Sequence, residues 1–278
     1  MGKIEQTIEG FSQVGKRALQ RGQRLWRMAT SPLRSLPDIV IVGAMKAGTT
    51  SLYHYLCQHP NVSGAWSKEV HYFDENYGRN PLWYRSNFDL QGRGISIEAT
   101  PRYLFDEETL WRMSVLLPDA IVIALLREPV SRAYSHYKHV RRGMGKWGTD
   151  HRSFQEAARA DIEQAEEKGA LGTNRYEDVY HSYIRRGIYK PQIERFKRVY
   201  GENLVVVKSE DMFNDAKRVV NKIFDRAGLK GIDLRKEKVH KEGSYDKKIE
   251  IKDDLETFFS PYNEELYDLL ETEKWWRY

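Results

Sequence analysis

Gly43 and Gly48 stand five residues apart, with Lys46 between them and Thr49, Thr50 and Ser51 directly after. The run before them, Ile39-Val40-Ile41-Val42, is β-branched throughout and reads as a buried parallel strand. A strand that feeds a glycine turn and opens a helix makes a phosphate cradle. Backbone N–H groups and the positive end of the helix dipole converge there on an anion. The loop reads G-x-x-x-x-G-T-T, whereas a Walker A loop reads G-x-x-x-x-G-K-[ST]. Thr49 takes the place of the lysine that reaches the outer phosphates of a nucleoside triphosphate, and the lysine sits inside the loop at Lys46. Anion chemistry other than ATP or GTP hydrolysis is therefore expected. An ordinary strand–turn–helix that uses glycine for packing carries the same local pattern.

Further groups follow along the chain. Lys68-Glu69-Val70-His71 comes just after the first strand–helix unit. Glu69 is a candidate general base and His71 a second, the alternative being a solvated charge pair. Arg127 ends an apolar strand, where ligands bind in open α/β sheets. Ser135 and His139 lie four apart on one helix face, with Arg132 one turn earlier. Between Arg235 and Ile251, Lys241 and five other basic residues surround Gly243-Ser244-Tyr245. Such a loop could close over an anionic ligand, and a disordered charged loop fits the composition equally. No His/Cys cluster suggests a metal.

The elements that must position these groups are strands alternating with helices. Strands are expected over the β-branched run that breaks at Gly43, and at 94–98, 120–126 and 203–208. Helices are expected from Thr49 to about Gln58, Glu107 to Leu117, Pro129 to about Arg142, Ser153 to about Lys168, within Tyr183–Tyr200, and from Asp211 to Gly228. A final amphipathic region runs from Asp253 to Glu271, interrupted by Pro261. This alternation predicts one α/β domain, a P-loop-like parallel sheet with helices on both faces.

The 278 residues are 31% charged and 40% hydrophobic, enough for a substantial buried core. The net charge of +5 is confined to residues 1–36, which hold seven basic and two acidic residues; the remaining chain is neutral. A neutral body speaks against a nucleic-acid partner. Residues 1–36 are read as a basic extension, with Ser31–Pro37 as a linker to a domain of residues 37–278. Ile4, Ile8, Phe11 and Val14 recur at helical spacing, as in a helix lying on an anionic membrane. The stripe is thin, which favours a surface helix packed on the body or a frayed tail. Cys57 is the single cysteine, and no apolar secretory core stands at the N-terminus. A reducing, cytoplasmic location is expected.

Taken together, Lys46–Leu52, Lys68–Phe73, Arg127–Ser135 and the Gly243-Ser244-Tyr245 loop resemble the sulfotransferases that use 3′-phosphoadenosine 5′-phosphosulfate (PAPS). The heparan-sulfate-type branch and its bacterial relatives are the most similar. The resemblance runs from about Pro37 to the C-terminus. A disulfide of the animal enzymes, with its nearby aromatic residues, is missing here.

The resemblance implies that Lys46, Ala47, Gly48, Thr49, Thr50 and Ser51 bind the 5′-phosphosulfate, with Lys46 stabilising the leaving group. It implies that Arg127 and Ser135 hold the 3′-phosphate, that Glu69 is the general base, and that His139 lies near the reacting atoms. Lys241, with Gly243, Ser244 and Tyr245, is the candidate for the late basic loop. The product is the 3′,5′-bisphosphate PAP, and the acceptor is a hydroxyl or amine of a saccharide or small molecule. A P-loop kinase or NTPase and an inactive nucleotide-binding module are the alternatives.

Overall fold

Every residue of β1 (Ile39–Gly43) is buried, as a β-branched run requires when helices cover both faces of a parallel sheet. In this computed structural model, which describes residue 15 and residues 18–143, 149–172, 180–235 and 249–276, β1 is the middle strand of five. β2 (Val62–Gly64), β3 (Ile95–Ala99), β4 (Ile121–Leu126) and β5 (Leu204–Lys208) complete a sheet of order β2-β3-β1-β4-β5. All pairs are parallel. The chain leaves β1 towards β3 and β2 and later returns to the other side with β4. The order therefore switches between β1 and β4, and the carboxyl ends of these two strands flank the crevice where open α/β sheets bind ligands.

Residues 18–29 form helix α1. The other helices are α2 (Thr49–Leu56), α3 (Pro81–Arg85), α4 (Glu107–Leu116), α5 (Pro129–Arg141), α6 (Phe154–Lys168), α7 (Tyr189–Tyr200), α8 (Ser209–Asn214), α9 (Ala216–Arg226) and α10 (Lys252–Leu270). One layer is built from α2 and α9, with α2 against β1 and β3. The other has α7 against β4 and β5, flanked by α4 and α10. The caps are local. Asp106 accepts the amides of Glu108 and Thr109, Glu128 those of Val130 and Ser131, and Ser153 forms a capping box with Glu156.

Several expectations are corrected. The three-residue edge strand β2 was not foreseen, because Val-Ser-Gly is too short to show alternation; its pairing to β3 makes it a strand. Asp211–Gly228 is two helices. Asp215 leaves helical backbone, at φ −144 and ψ 75, and caps α9 by accepting from the Arg218 amide. Helix α7 begins only at Tyr189, after a 3-10 turn at Arg185–Gly187. Pro261 does not interrupt α10, because Leu255, Phe259, Leu266 and Tyr267 bury one stripe on both sides of it. That packing outweighs one lost backbone bond.

Ser31–Pro37 is not a free linker. Ser31–Leu33 is a 3-10 turn, and Arg34 is 1% exposed. Arg34 Nη1 donates to the Phe88 carbonyl at 2.7 Å, and Arg27 donates to the carbonyls of Ser86 and Phe88 at 2.7 and 2.6 Å. These carbonyls lie just past the short α3, where the chain has left the helix and its acceptors need other donors. The two guanidinium groups also stack, Arg27 over Trp66 and Arg34 over Trp26. Of the basic residues before Pro37, Arg27 and Arg34 are thus built into the body, whereas Arg21 and Arg24 are exposed, and Ile4, Ile8, Phe11 and Val14 lie outside the described residues.

Candidate active site

The phosphate loop takes its shape from two left-handed residues. Lys46 has φ 68, and Gly48, the residue before α2, has φ 96. A Cβ on Gly48 would stand 2.7 Å from Phe213 Cζ, the tip of a half-exposed ring that can move aside, so it is the left-handed backbone that favours glycine there. The loop is held from both flanks. Ser209 Oγ donates to the Ala47 carbonyl at 2.6 Å, and Arg127 Nη1 to the Lys46 carbonyl at 3.1 Å. Arg127 follows β4 directly, so this bond spans the switch point. Thr49 and Ser51 are buried in the first turn of α2, whereas Thr50 faces outward.

The second segment sits against this loop. Lys68 Nζ donates to Thr50 Oγ1 at 3.2 Å and lies 3.5 Å from Glu69 Oε1. His71 stands between two carboxylates, with Nε2 3.3 Å from Glu69 Oε2 and Nδ1 2.9 Å from Asp74 Oδ2. Arg102 backs the array, Nε at 3.0 Å from Asp74 and Nη1 at 2.9 Å from Glu75. Both imidazole nitrogens face carboxylate oxygens, an arrangement that suits the ring protonated on both. Burial disfavours that charge, but the bonds and charges of Asp74 and Glu69 outweigh it and raise the His71 pKa to about 10. Burial likewise pushes Glu69 up, but His71 and Lys68 outweigh it and hold this carboxyl below its usual range. Asp74 is lowered the same way, by His71 and Arg102 against burial. At neutral pH the array is an ionised Glu69 beside an imidazolium.

Helix α5 supplies a third wall. Ser135 and His136 are buried on it, and His139 is half-buried. Burial first, then the charges of Arg186, Arg132, His139 and Lys46, keep His136 neutral. That field places Lys46 of the loop within electrostatic reach of α5. Arg132 is fully buried and donates to the Tyr183 carbonyl. Its Nε and Nη1 have no hydrogen-bond partner among the described residues.

The fold thus joins Thr50 to Glu69 through Lys68 and Arg127 to the Lys46 backbone, and sets α5 with Ser135 and His139 alongside. Lys241, Gly243, Ser244 and Tyr245 lie outside the described residues. Asp74 and Arg102 were missed by sequence reasoning. Asp74 is three residues beyond His71, and Arg102 lies in the loop that follows a strand, a place that could have drawn attention to it. Of the aromatic residues near this segment, Trp66 is 49% exposed, whereas Tyr84 is wholly buried in the core.

The site can hold an anion. A left-handed loop opens a helix, Lys46 and Arg127 flank it, and a buried guanidinium near Arg127 has donors to spare.

The profile of a family described as "Sulfotransferase domain" matches residues 36–252. Human heparan sulfate glucosamine 3-O-sulfotransferase 6 is 32% identical over 203 residues, which are 72% of this chain and 54% of that protein. The membrane-associated sulfotransferase kil1 of Dictyostelium discoideum is 38% identical over 109 residues, 38% of this chain and 23% of the relative. This chain therefore spans about half or less of the length of such relatives. A sulfotransferase from Alicyclobacillus acidocaldarius superposes with a TM-score of 0.70 at 28% identity, covering 86% of this chain and 97% of the other.

Proposed function

The chain belongs to the sulfotransferase domain family, and on that premise we propose that it transfers a sulfuryl group from PAPS to a hydroxyl or amine of a saccharide or small molecule. The observation that carries this reading is the junction of the phosphate loop with an ionised carboxylate. Lys68 bridges Thr50 and Glu69, so an acid–base group stands beside the anion cradle.

The donor supplies an activated sulfuryl group whose departure leaves negative charge on a phosphate. Lys46 and the loop amides are suited to bind that phosphate end, and a cation fixed where charge develops lowers the barrier. Arg127 and Ser135 are suited to a second phosphate at the far side of the switch point. Glu69 accepts the proton of the acceptor. His71 cannot share this role near neutrality, because its nitrogens are both engaged as donors. It orients Glu69 instead, and Asp74 and Arg102 orient His71. The relatives named for heparan sulfate glucosamine make an acidic saccharide the first acceptor to test.

The test is transfer of label from PAPS to a panel of acceptors including heparan sulfate, with calorimetry of PAP and AMP in parallel. Labelled product, and PAP binding far tighter than AMP, are expected. Equal affinity for PAP and AMP, or turnover of ATP in place of PAPS, would overturn the reading.

A further inference from the structure

Strand β3 reads Ile-Ser-Ile-Glu-Ala, and its fourth residue, Glu98, is a carboxylate with no exposure at all. Glu98 has no basic partner among the described residues. Its oxygens instead take three hydroxyl donors, Tyr84 on Oε2 and Thr100 and Tyr103 on Oε1, the last two at 2.8 Å. Burial drives its pKa up to about 7 against the pull of these bonds. A buried carboxylate is costly and must have a compensating role.

The hydroxyls show what that role is. A hydroxyl has one proton and two lone pairs, so one that gives its O–H to a Glu98 oxygen keeps its lone pairs for other donors. They face the backbone of the neighbouring segment. The Tyr72 amide donates to Tyr103 Oη at 2.8 Å and the Phe73 amide to the same oxygen at 3.3 Å. The His71 amide donates to Thr100 Oγ1 at 3.4 Å. Three consecutive amides are thus hung from one carboxylate through two hydroxyls. They belong to the segment that carries Glu69, His71 and Asp74, and His71 itself stands at φ 53, a conformation that local preference does not supply.

We propose that Glu98 is a positioning residue, which fixes the Glu69–His71–Asp74 array against the phosphate loop through the hydroxyls of Thr100 and Tyr103. The proposal rests on the reading of Glu69 as the base, but its test does not need an acceptor. The charge of His71 reports the array directly, because it depends on both carboxylates lying close to the ring.

The experiment compares wild type, Tyr103→Phe, Glu98→Gln and Glu98→Leu by imidazole 15N NMR titration of His71, with PAP affinity by calorimetry. Tyr103→Phe removes the acceptor of two amides, so the segment loosens. The His71 pKa should fall from about 10 by roughly one unit or more, while PAP affinity holds. Glu98→Gln keeps an acceptor oxygen for both hydroxyls and should titrate as wild type, whereas Glu98→Leu removes that oxygen and should lower the His71 pKa as Tyr103→Phe does. A wild-type titration in Glu98→Leu overturns the role of Glu98. An unchanged His71 titration in Tyr103→Phe, or a loss of PAP affinity in step with it, overturns the proposal. Should Tyr103→Phe not fold, Thr100→Val carries the same test through the His71 amide. If Glu69→Gln keeps full turnover, the base assignment has failed while the titration still judges Glu98. If Glu69→Gln is slow and Tyr103→Phe titrates as wild type, only the positioning role has failed.

Discussion

The dependence of sulfuryl transfer on pH should separate Glu69 from His71 as the base. His71 is raised from 6.5 to about 10 in the folded protein. At about 1.36 kcal/mol per pH unit, the two carboxylates favour the imidazolium by on the order of 5 kcal/mol. The folded pKa lies above the unfolded one, so this stabilisation is complete below pH 6.5 and is lost as pH climbs to about 10. Glu69 has the opposite sign. Its lowered pKa stabilises the fold above the ordinary carboxylate value of 4.5, and that contribution is lost on acidification through the folded pKa. With Glu69 as base, kcat/KM should be flat across neutrality, with an acid limb below 4.5 and a decline near pH 10. His71→Gln removes a cation 3.3 Å from Glu69 and leaves the burial in place. The acid limb should then move up by roughly one unit or more. In the same variant, the fall in melting temperature between pH 6.5 and 10 should disappear. An acid limb near 6.5 in the wild type that vanishes in His71→Gln would refute this reasoning, since it would make neutral imidazole the base.

Other outcomes follow from the same contacts. Lys46→Ala should lose on the order of 10²–10³ in turnover, as for removal of one donor to developing charge, with a smaller loss in PAP affinity by calorimetry. Arg127→Ala should abolish most of the preference for PAP over AMP, a factor of roughly 10–1,000 if one or two charge-assisted bonds are lost, while weak AMP binding persists. Gly48→Ala should lose about 1–2 kcal/mol from the left-handed backbone, read as a lower melting temperature together with weakened PAP binding. Arg34→Ala should destabilise by about 2–3 kcal/mol in denaturant titration, since a buried charged donor to two carbonyls is lost.

Much of the scaffold was legible because it is local. The phosphate loop lies within nine residues, and its glycines, threonines and preceding β-branched run describe strand, turn and helix in sequence order. Caps at Asp106, Glu128 and Ser153 bind amides two or three residues on. Where the local signal was short or opposed, the reading failed. β2 has three residues, and Pro261 sits in a helix kept whole by packing of its apolar stripe.

By itself, the sequence determined in what order strands and helices alternate, and it named the residues suited to an anion. These depend on backbone sterics and on hydrogen bonds between near neighbours. Only the tertiary structure decided the electrostatic state of the site. Arg127 reaches the Lys46 carbonyl across 81 positions, and Arg102 meets Asp74 from the loop after another strand. Whether His71 is a base or a cation depends on how close two carboxylates approach it and how little water remains. Whether Arg27 and Arg34 belong to a tail or to the body depends on unpaired carbonyls near residue 88. Charge and burial are set by groups that meet in space, and chain order does not say which groups those are.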